Sequence, residues 1–331
     1  MKRISRLAAA TLLLVLACLA LGGFLALQPP SRAATLVVVE IPRGAALSGV
    51  AALLEAAGVI RNAEAFALLA RFEGRAAALR AGEYALAANL PAREVLDRLA
   101  AGAVMTHRLV VPEGLRMEEV AARIEAAGLG SAAEFLAVAR DPASAAALGV
   151  EGKSLEGYLF PETYELAKGI PAGDVARLMV DHFLSVWRPL EPEARARGMS
   201  MHEVVVLASL IEKETGAPEE RPVIAAVFLN RLARGMRLET DPAVIYGIAG
   251  FDGNLRRVHL EDVTNPYNTY QHEGLPPGPI ANPGAAALRA VVEPAEADYL
   301  YFVARKNGTH QFSRSYAEHV RAVNHFQRNG Q

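Results

Sequence analysis

Met201-His202-Glu203-Val204-Val205-Val206-Leu207-Ala208-Ser209-Leu210-Ile211-Glu212-Lys213-Glu214-Thr215 reads as one helix, and from Val204 to Ile211 it is apolar on every side apart from Ser209. A helix without a polar face has to be surrounded by other elements, so this stretch is expected at the centre of a domain. Its end is unusual, because two acids follow directly on the buried run. Carboxylates in a last helical turn oppose the helix dipole, and burial disfavours their charge, so both effects favour the protonated acid. At about 100° per residue, Glu214 continues the stripe of Leu207, Leu210 and Ile211, whereas Glu212 lies about 200° away, in line with Val205 and Ala208. These residues alone leave two readings open: a proton donor, or an ordinary ion pair of Glu212 or Glu214 with Lys213, Arg221 or Arg231.

Downstream, Pro218 with Glu219 and Glu220 opens a helix expected to run to about Arg234 and to be closed by Gly235. A short helix starts at Asp241-Pro242, a proline- and glycine-rich loop covers residues 265–284, and a helix follows from Ala285. Residues 299–304 and 309–313 read as a hairpin around Lys306-Asn307-Gly308, with a last helix from Ser315. Upstream, residues 172–188 form an amphipathic helix, and residues 108–111 a strand followed by helices over 117–126 and 131–139. Nearer the N-terminus, the order is strand (35–41), helix (47–57, ended by Gly58), helix (capped by Asn62), strand (82–86) and helix (92–101). The first four of these, with a Pro-x-Gly turn leading from strand to helix, resemble a LysM-like βααβ module, a small fold that commonly binds N-acetylglucosamine-containing glycans; a plain spacer domain is the alternative. Without regular βαβ repetition the class is α+β, a mixed α+β region following the module.

Lys2, Arg3 and Arg6 precede an uncharged run of 21 residues, 7–27. That length predicts a transmembrane helix, with residues 1–6 on the cytoplasmic side and the rest outside. A cleaved signal peptide would have a shorter apolar part, and Val15-Leu16-Ala17-Cys18 is only a faint lipoprotein box. The expected division is a linker over 28–34, the LysM-like module over 35–103 and a larger region over 104–331. The charge balance is 34 − 36 = −2 without basic clusters, which argues against a nucleic-acid binder, and the sole cysteine, Cys18, excludes a disulfide framework.

Familiar catalytic motifs are missing. Gly152-Lys153-Ser154 has no glycine at the start of a phosphate loop, Ser209 and Lys213 are four apart where Ser-x-x-Lys is required, and no histidines stand at metal-ligand spacing. Neither a metal nor a cofactor is expected. A different constellation stands out: Tyr158, Tyr164, Tyr246, Tyr267 and Tyr270 beside Asn230, Thr240, Asp241, Asn268 and Thr269. Aromatic faces with amides and hydroxyls suit stacking on and hydrogen bonding to sugars, although any one tyrosine could simply pack in a core. Of these, Tyr158, Asn230, Thr240, Asp241, Tyr246, Tyr267, Asn268, Thr269 and Tyr270 are the candidate substrate-binding residues.

Six ordered segments together resemble the endolytic murein transglycosylases of the MltG (YceG-like) family: Glu156-Gly157-Tyr158-Leu159-Phe160-Pro161-Glu162-Thr163-Tyr164, Ala208-Ser209-Leu210-Ile211-Glu212-Lys213-Glu214-Thr215, Val227-Phe228-Leu229-Asn230-Arg231-Leu232, residues 235–247, Tyr267-Asn268-Thr269-Tyr270 and residues 274–280. The resemblance covers essentially the whole chain. It implies a single-pass bacterial inner-membrane protein whose YceG-like catalytic region, 104–331, acts in the periplasm on nascent peptidoglycan, with cell-wall synthesis enzymes as partners. It also implies Glu214 as the catalytic acid of a non-hydrolytic cleavage between N-acetylmuramic acid and N-acetylglucosamine, leaving 1,6-anhydro ends. The competing expectations are a non-catalytic wall-binding tether and a true hydrolase with Asp241 or Glu220 as a second carboxylate.

Overall fold

The computed structural model describes the backbone of residues 2–328 and the side chains of residues 11–327. The protein is α+β and divides into two compact units, Met1–His107 with Glu165–Gly169, and Arg108–Tyr164 with Ile170–Gln331.

The first unit contains α1 (Lys2–Ala26), β1 (Leu36–Ile41), α2 (Leu47–Ala56), α3 (Ala63–Phe72), β2 (Gly82–Ala87) and α4 (Ala92–Ala101). β1 and β2 pair antiparallel, Leu36 opposite Ala87 and Ile41 opposite Gly82. Period-2 alternation in β1 turns Val39 and Ile41 inward and leaves Val38 and Glu40 outside. The inward pair joins Leu54, Phe66, Tyr84 and Leu96 in one core. Asn62 caps α3 by accepting the Ala65 amide at 2.8 Å, and Gly102, in the left-handed conformation, ends α4.

The expected transmembrane helix over 7–27 is corrected by this structure. Among the described residues, no helix is long and apolar enough to cross a membrane. The uncharged run extends to Leu27 in sequence, but α1 ends at Ala26. Leu27 instead packs against the core of the first unit, and its carbonyl accepts the Ala92 amide at 3.0 Å. Placement as a single-pass inner-membrane protein is corrected by the same finding; the side chains of residues 1–6, read as cytoplasmic, lie outside the described residues. Past α1, the Pro29 carbonyl accepts from Arg61 Nε at 2.8 Å and the Ser31 amide donates to the Ala88 carbonyl at 3.2 Å.

Two boundaries of the second unit fall inside β3 (Thr106–Val110) and β4 (Thr163–Ala167), and the third follows Gly169. Between these strands lie α5 (Met117–Ala126), α6 (Ala132–Ala139) and α7 (Pro142–Ala147). After them come α8 (Ala172–Trp187), α9 (Glu191–Ala196), α10 (Met201–Glu214), α11 (Arg221–Ala233), α12 (Asp241–Tyr246), α13 (Arg257–Glu261), α14 (Ala285–Val292), β5 (Tyr301–Ala304), β6 (His310–Ser313) and α15 (Tyr316–Val323). α10 is the axis, packed against α11 and α14, with every residue from Val204 to Ile211 buried. A capping box starts it: Ser200 Oγ accepts the Glu203 amide and Glu203 accepts the Ser200 amide. Ser209 survives in this apolar helix because its hydroxyl donates to the Val206 carbonyl at 2.7 Å and accepts the Ile280 amide at 3.0 Å. Gly157 is required where it stands: its φ is +88°, and a Cβ there would sit 2.6 Å from Pro279 and Val205 side-chain carbons. Pro218 opens only a 3₁₀ turn, Pro218–Glu220, and the α-helix begins at Arg221.

Candidate active site

The last turn of α10 sends its two acids to different surroundings, as a rotation of about 200° requires. Glu212 is occupied: Arg221 Nη2 donates to one oxygen at 2.9 Å and the Gly284 amide to the other at 3.0 Å. Lys213 donates to the Gly114 carbonyl at 3.2 Å. Glu214 instead lines a cavity of about 400 Å³, with Arg231, Glu239, Asp241, Tyr270, His310 and His319 among its neighbours. Burial pushes the Glu214 carboxyl up to about 7; the Thr240 hydroxyl and His310 pull it back, while Asp241 adds to the rise.

Several elements besides α10 build the walls. On α11, buried Arg231 donates to the Leu238 carbonyl at 2.8 Å and to Glu239 at 2.6 Å, its guanidinium 5.3 Å from the centre of the Tyr301 ring. These bonds hold Glu239 at φ +53°, the one non-glycine residue with positive φ among the described residues. Such a conformation is uncommon for a side chain with a Cβ and persists where its surroundings enforce it. The segment leading into α12 is locked to the loop by Thr269, whose hydroxyl accepts the Thr240 amide at 3.0 Å. Tyr270 then donates to Asp241 at 2.7 Å across the same cavity wall. The β5–β6 hairpin and α15 supply Phe302, His310 and His319, the last stacked on Tyr301 at 5.3 Å.

Of the sequence-derived candidates, Glu214, Asp241 and Tyr270 come together on the cavity, and Thr240 reaches Glu214 beside it. The others serve the frame. Tyr158 is fully buried, edge-on to Phe183, with its hydroxyl on the Glu151 carbonyl and His202. Asn230 donates to the Ala297 and Tyr299 carbonyls at 2.8 and 3.0 Å and so anchors the entry to β5. Tyr246 donates to Glu156 at 3.2 Å and packs against Tyr267 at 4.8 Å between ring centres. Asn268 is fully buried, donating to the carbonyls of His259, Leu260 and Asp262 and accepting the Tyr270 amide.

The geometry therefore presents a polar cavity with three carboxyls, Glu214, Glu239 and Asp241, of which burial raises that of Glu214 to about 7. The sequence profile of the YceG-like family matches residues 39–325. The chain belongs to the YceG-like family. It is similar to the endolytic murein transglycosylase of Bacillus subtilis (strain 168), 32% identical over 304 residues that make up 87% of this chain and 84% of that one. Similarity to the endolytic murein transglycosylase of Streptococcus pneumoniae serotype 2 (strain D39) is 28% over 356 residues, 93% of this chain and 64% of the relative. The crystal structure of a YceG-like protein from Listeria monocytogenes superposes with a TM-score of 0.60 at 33% identity, over 87% of this chain and 99% of that chain.

In this YceG-like chain the residues that sequence reasoning missed as site residues are Arg231, Glu239, Tyr301, His310 and His319, all lining the cavity. Arg231 sits next to Asn230 and was legible only as an ion-pair partner. Glu239 carries no sequence sign of its backbone conformation. The two histidines stand in and after a hairpin, far along the chain from Glu214, where only the fold makes them neighbours.

Proposed function

We propose that Glu214 is both the acid and the base with which this chain cuts peptidoglycan glycan strands internally, between N-acetylmuramic acid and N-acetylglucosamine, ending their elongation. The coarse class rests on the family and its relatives: the chain is a peptidoglycan lytic transglycosylase, a lyase. The observation that supports Glu214 is its place on the cavity with a carboxyl pushed up to about 7. A group poised there is protonated often enough to give a proton and acidic enough to take one back.

In the first half-reaction the Glu214 proton moves to the glycosidic oxygen as the bond from that oxygen to C1 of the muramic residue breaks. In the second, the muramic 6-hydroxyl oxygen bonds to C1 and its proton returns to the Glu214 carboxylate. No water enters, and one carboxyl completes the cycle, whereas hydrolases engage a second. Tyr270 and Asp241, bonded to each other on the cavity wall, are placed to meet sugar hydroxyls. Glu220, weighed as a second carboxylate, is committed elsewhere, to His310 and Thr215. In this reading, residues 35–103 hold glycan without taking part in the chemistry.

Mass spectrometry of fragments released from purified peptidoglycan tests the proposal. Each new end should be one water lighter than a hydrolytic fragment, because an internal hydroxyl replaces water. Fragments carrying the added water would make Asp241, on the same cavity, the second carboxylate of a hydrolase.

A further inference from the structure

Glu239 is held in a backbone conformation that a side chain makes costly. Its φ of +53° is the only positive value at a non-glycine position among the described residues, and glycine or asparagine would sit there with less strain. The chain around it is tied down by main-chain groups. The Glu239 amide donates to the Thr269 carbonyl at 3.2 Å, the Leu238 carbonyl accepts from Arg231 at 2.8 Å, and the Thr240 amide donates to the Thr269 hydroxyl at 3.0 Å. These bonds would form whatever side chain stood at 239, so they do not explain the glutamate. Its carboxylate does more. Oε2 accepts from Arg231 Nη2 at 2.6 Å, whereas Oε1 accepts from none of the described residues, and the side chain is 44% exposed on the cavity that holds Glu214. A buried guanidinium thus fixes one oxygen and leaves the other to a donor inside the cavity. Asp241 also has one oxygen free of the Tyr270 hydroxyl, but it opens α12 with an ordinary backbone, where the helix dipole already favours an acid. Glu239 has no such local reason.

We propose that Glu239 is a substrate-binding residue whose Oε1 accepts the acetamido N–H of the muramic residue being cut. The proposal rests on the glycan cleavage at Glu214 described above. Glu214 and Glu239 line the same cavity of about 400 Å³, so the sugar whose bond breaks lies against both. In that muramic residue O1 and O4 lie in glycosidic bonds, O3 carries the lactyl ether, and O6 is the nucleophile. The acetamido N–H is therefore the one donor on the ring that neither a linkage nor the reaction uses. A carboxylate oxygen can only accept, and matches it. Because Arg231 and the tied-down backbone fix the carboxylate beforehand, the contact holds C2, and with it the neighbouring C1, in one place relative to Glu214. The strain at Glu239 is then the cost of a preformed binding group.

Glu239→Gly and Glu239→Asn in the full chain separate a residue that shapes the backbone from one that binds substrate. Both replacements adopt positive φ more readily than glutamate, so a purely conformational role predicts wild-type cleavage from each. As a binding residue, Glu239 should instead cost each variant roughly 10–100-fold in kcat/KM on peptidoglycan strands, the range for a hydrogen bond to a charged group. Thermal unfolding checks that the variants are folded, and wild-type kcat/KM in either folded variant overturns the proposal. The donor is tested on a synthetic strand with 2-O-acetyl groups in place of the muramic acetamido groups, an ester that keeps their shape and lacks the N–H. The wild type should cleave it less well than the N-acetyl strand by the same factor, whereas Glu239→Gly should treat the two strands nearly alike. Equal cleavage of both strands by the wild type overturns the proposal without any variant. So does an equal penalty for the ester in wild type and Glu239→Gly, even where the variant is slow because Arg231 has lost its partner. Should Glu239→Gly fail to fold, Glu239→Asn takes the same two strands. Normal turnover in Glu214→Gln would instead defeat the functional reading, independently of how the two strands compare.

Discussion

Glu156 and Glu214 are both buried glutamates in the second unit with carboxyls raised far above the usual range, to about 8 and about 7, yet their surroundings differ in kind. Burial is the leading cause at each. Around Glu156 the polar groups are satisfied. It accepts the Met117 amide at 3.1 Å, the Tyr246 hydroxyl at 3.2 Å and the Asn282 amide at 3.0 Å. Asn282 fills its remaining capacity with the Gly157 and Leu159 amides and the Leu115 carbonyl. Around Glu214 the opposite holds. Arg231 Nε and His319 Nδ1 are buried without a hydrogen-bond partner, and Glu239 is held in an uncommon backbone conformation. A raised carboxyl pKa therefore identifies desolvation and not function; what separates the two glutamates is the cavity and the unspent polar capacity beside Glu214.

The largest expected effect comes from removing the titrating proton at the cavity. Glu214→Gln should lower peptidoglycan cleavage on the order of 10²–10⁴-fold while leaving the thermal transition nearly unchanged. Near-normal turnover would erase the distinction between the two glutamates. The matching change at the other site is Asn282→Ala, which leaves the buried Gly157 and Leu159 amides without their acceptor and takes one donor each from the Leu115 carbonyl and the Glu156 carboxyl. It should destabilise the fold by about 3–5 kcal/mol, read by denaturant unfolding, with the enzyme that remains folded keeping the wild-type product. A loss of activity without loss of stability would move Asn282 into the site.

The smallest effect sharpens the comparison through pH. Glu156 binds its proton more tightly folded than unfolded, so its contribution is fully present below about 4.5 and is lost as pH rises through about 8. Between those values stability should fall with rising pH by at most about 1.4 kcal/mol per pH unit, the slope set by one proton. Glu156→Gln, neutral throughout, should flatten that part of the stability profile without shifting the pH dependence of cleavage. Unfolding curves from pH 5 to 8 in both proteins check this, and an unchanged slope would remove Glu156 as its source.

Much of the fold was legible in local pattern. The all-round apolar run of α10, Asn62 at a helix start and the Asn-Gly turn before β6 are set by side-chain chemistry over a few residues, which a sequence displays directly. The end of α1 was not, because whether Leu27 continues a helix or joins a core depends on what packs against it, here the first unit's own core and the Ala92 amide. The candidate substrate-binding residues do not share one surface, because the fold divides them. Tyr158, Tyr246 and Asn268 spend their polar ends on the chain itself, and only Tyr270 and Asp241 of that set line the cavity with Glu214.

Between the acids of the last helical turn, the rotation of 100° per residue sends Glu212 and Glu214 to different sides, and that much the sequence determined by itself. Which side holds an ion pair with Arg221 and which a cavity was decided by tertiary structure alone. The physical reason is that helix geometry is local, whereas desolvation and charge at Glu214 come from Asp241, some 30 residues on, and from His310, nearly 100 residues on. Those partners meet only when α12 and the β5–β6 hairpin close around the end of α10.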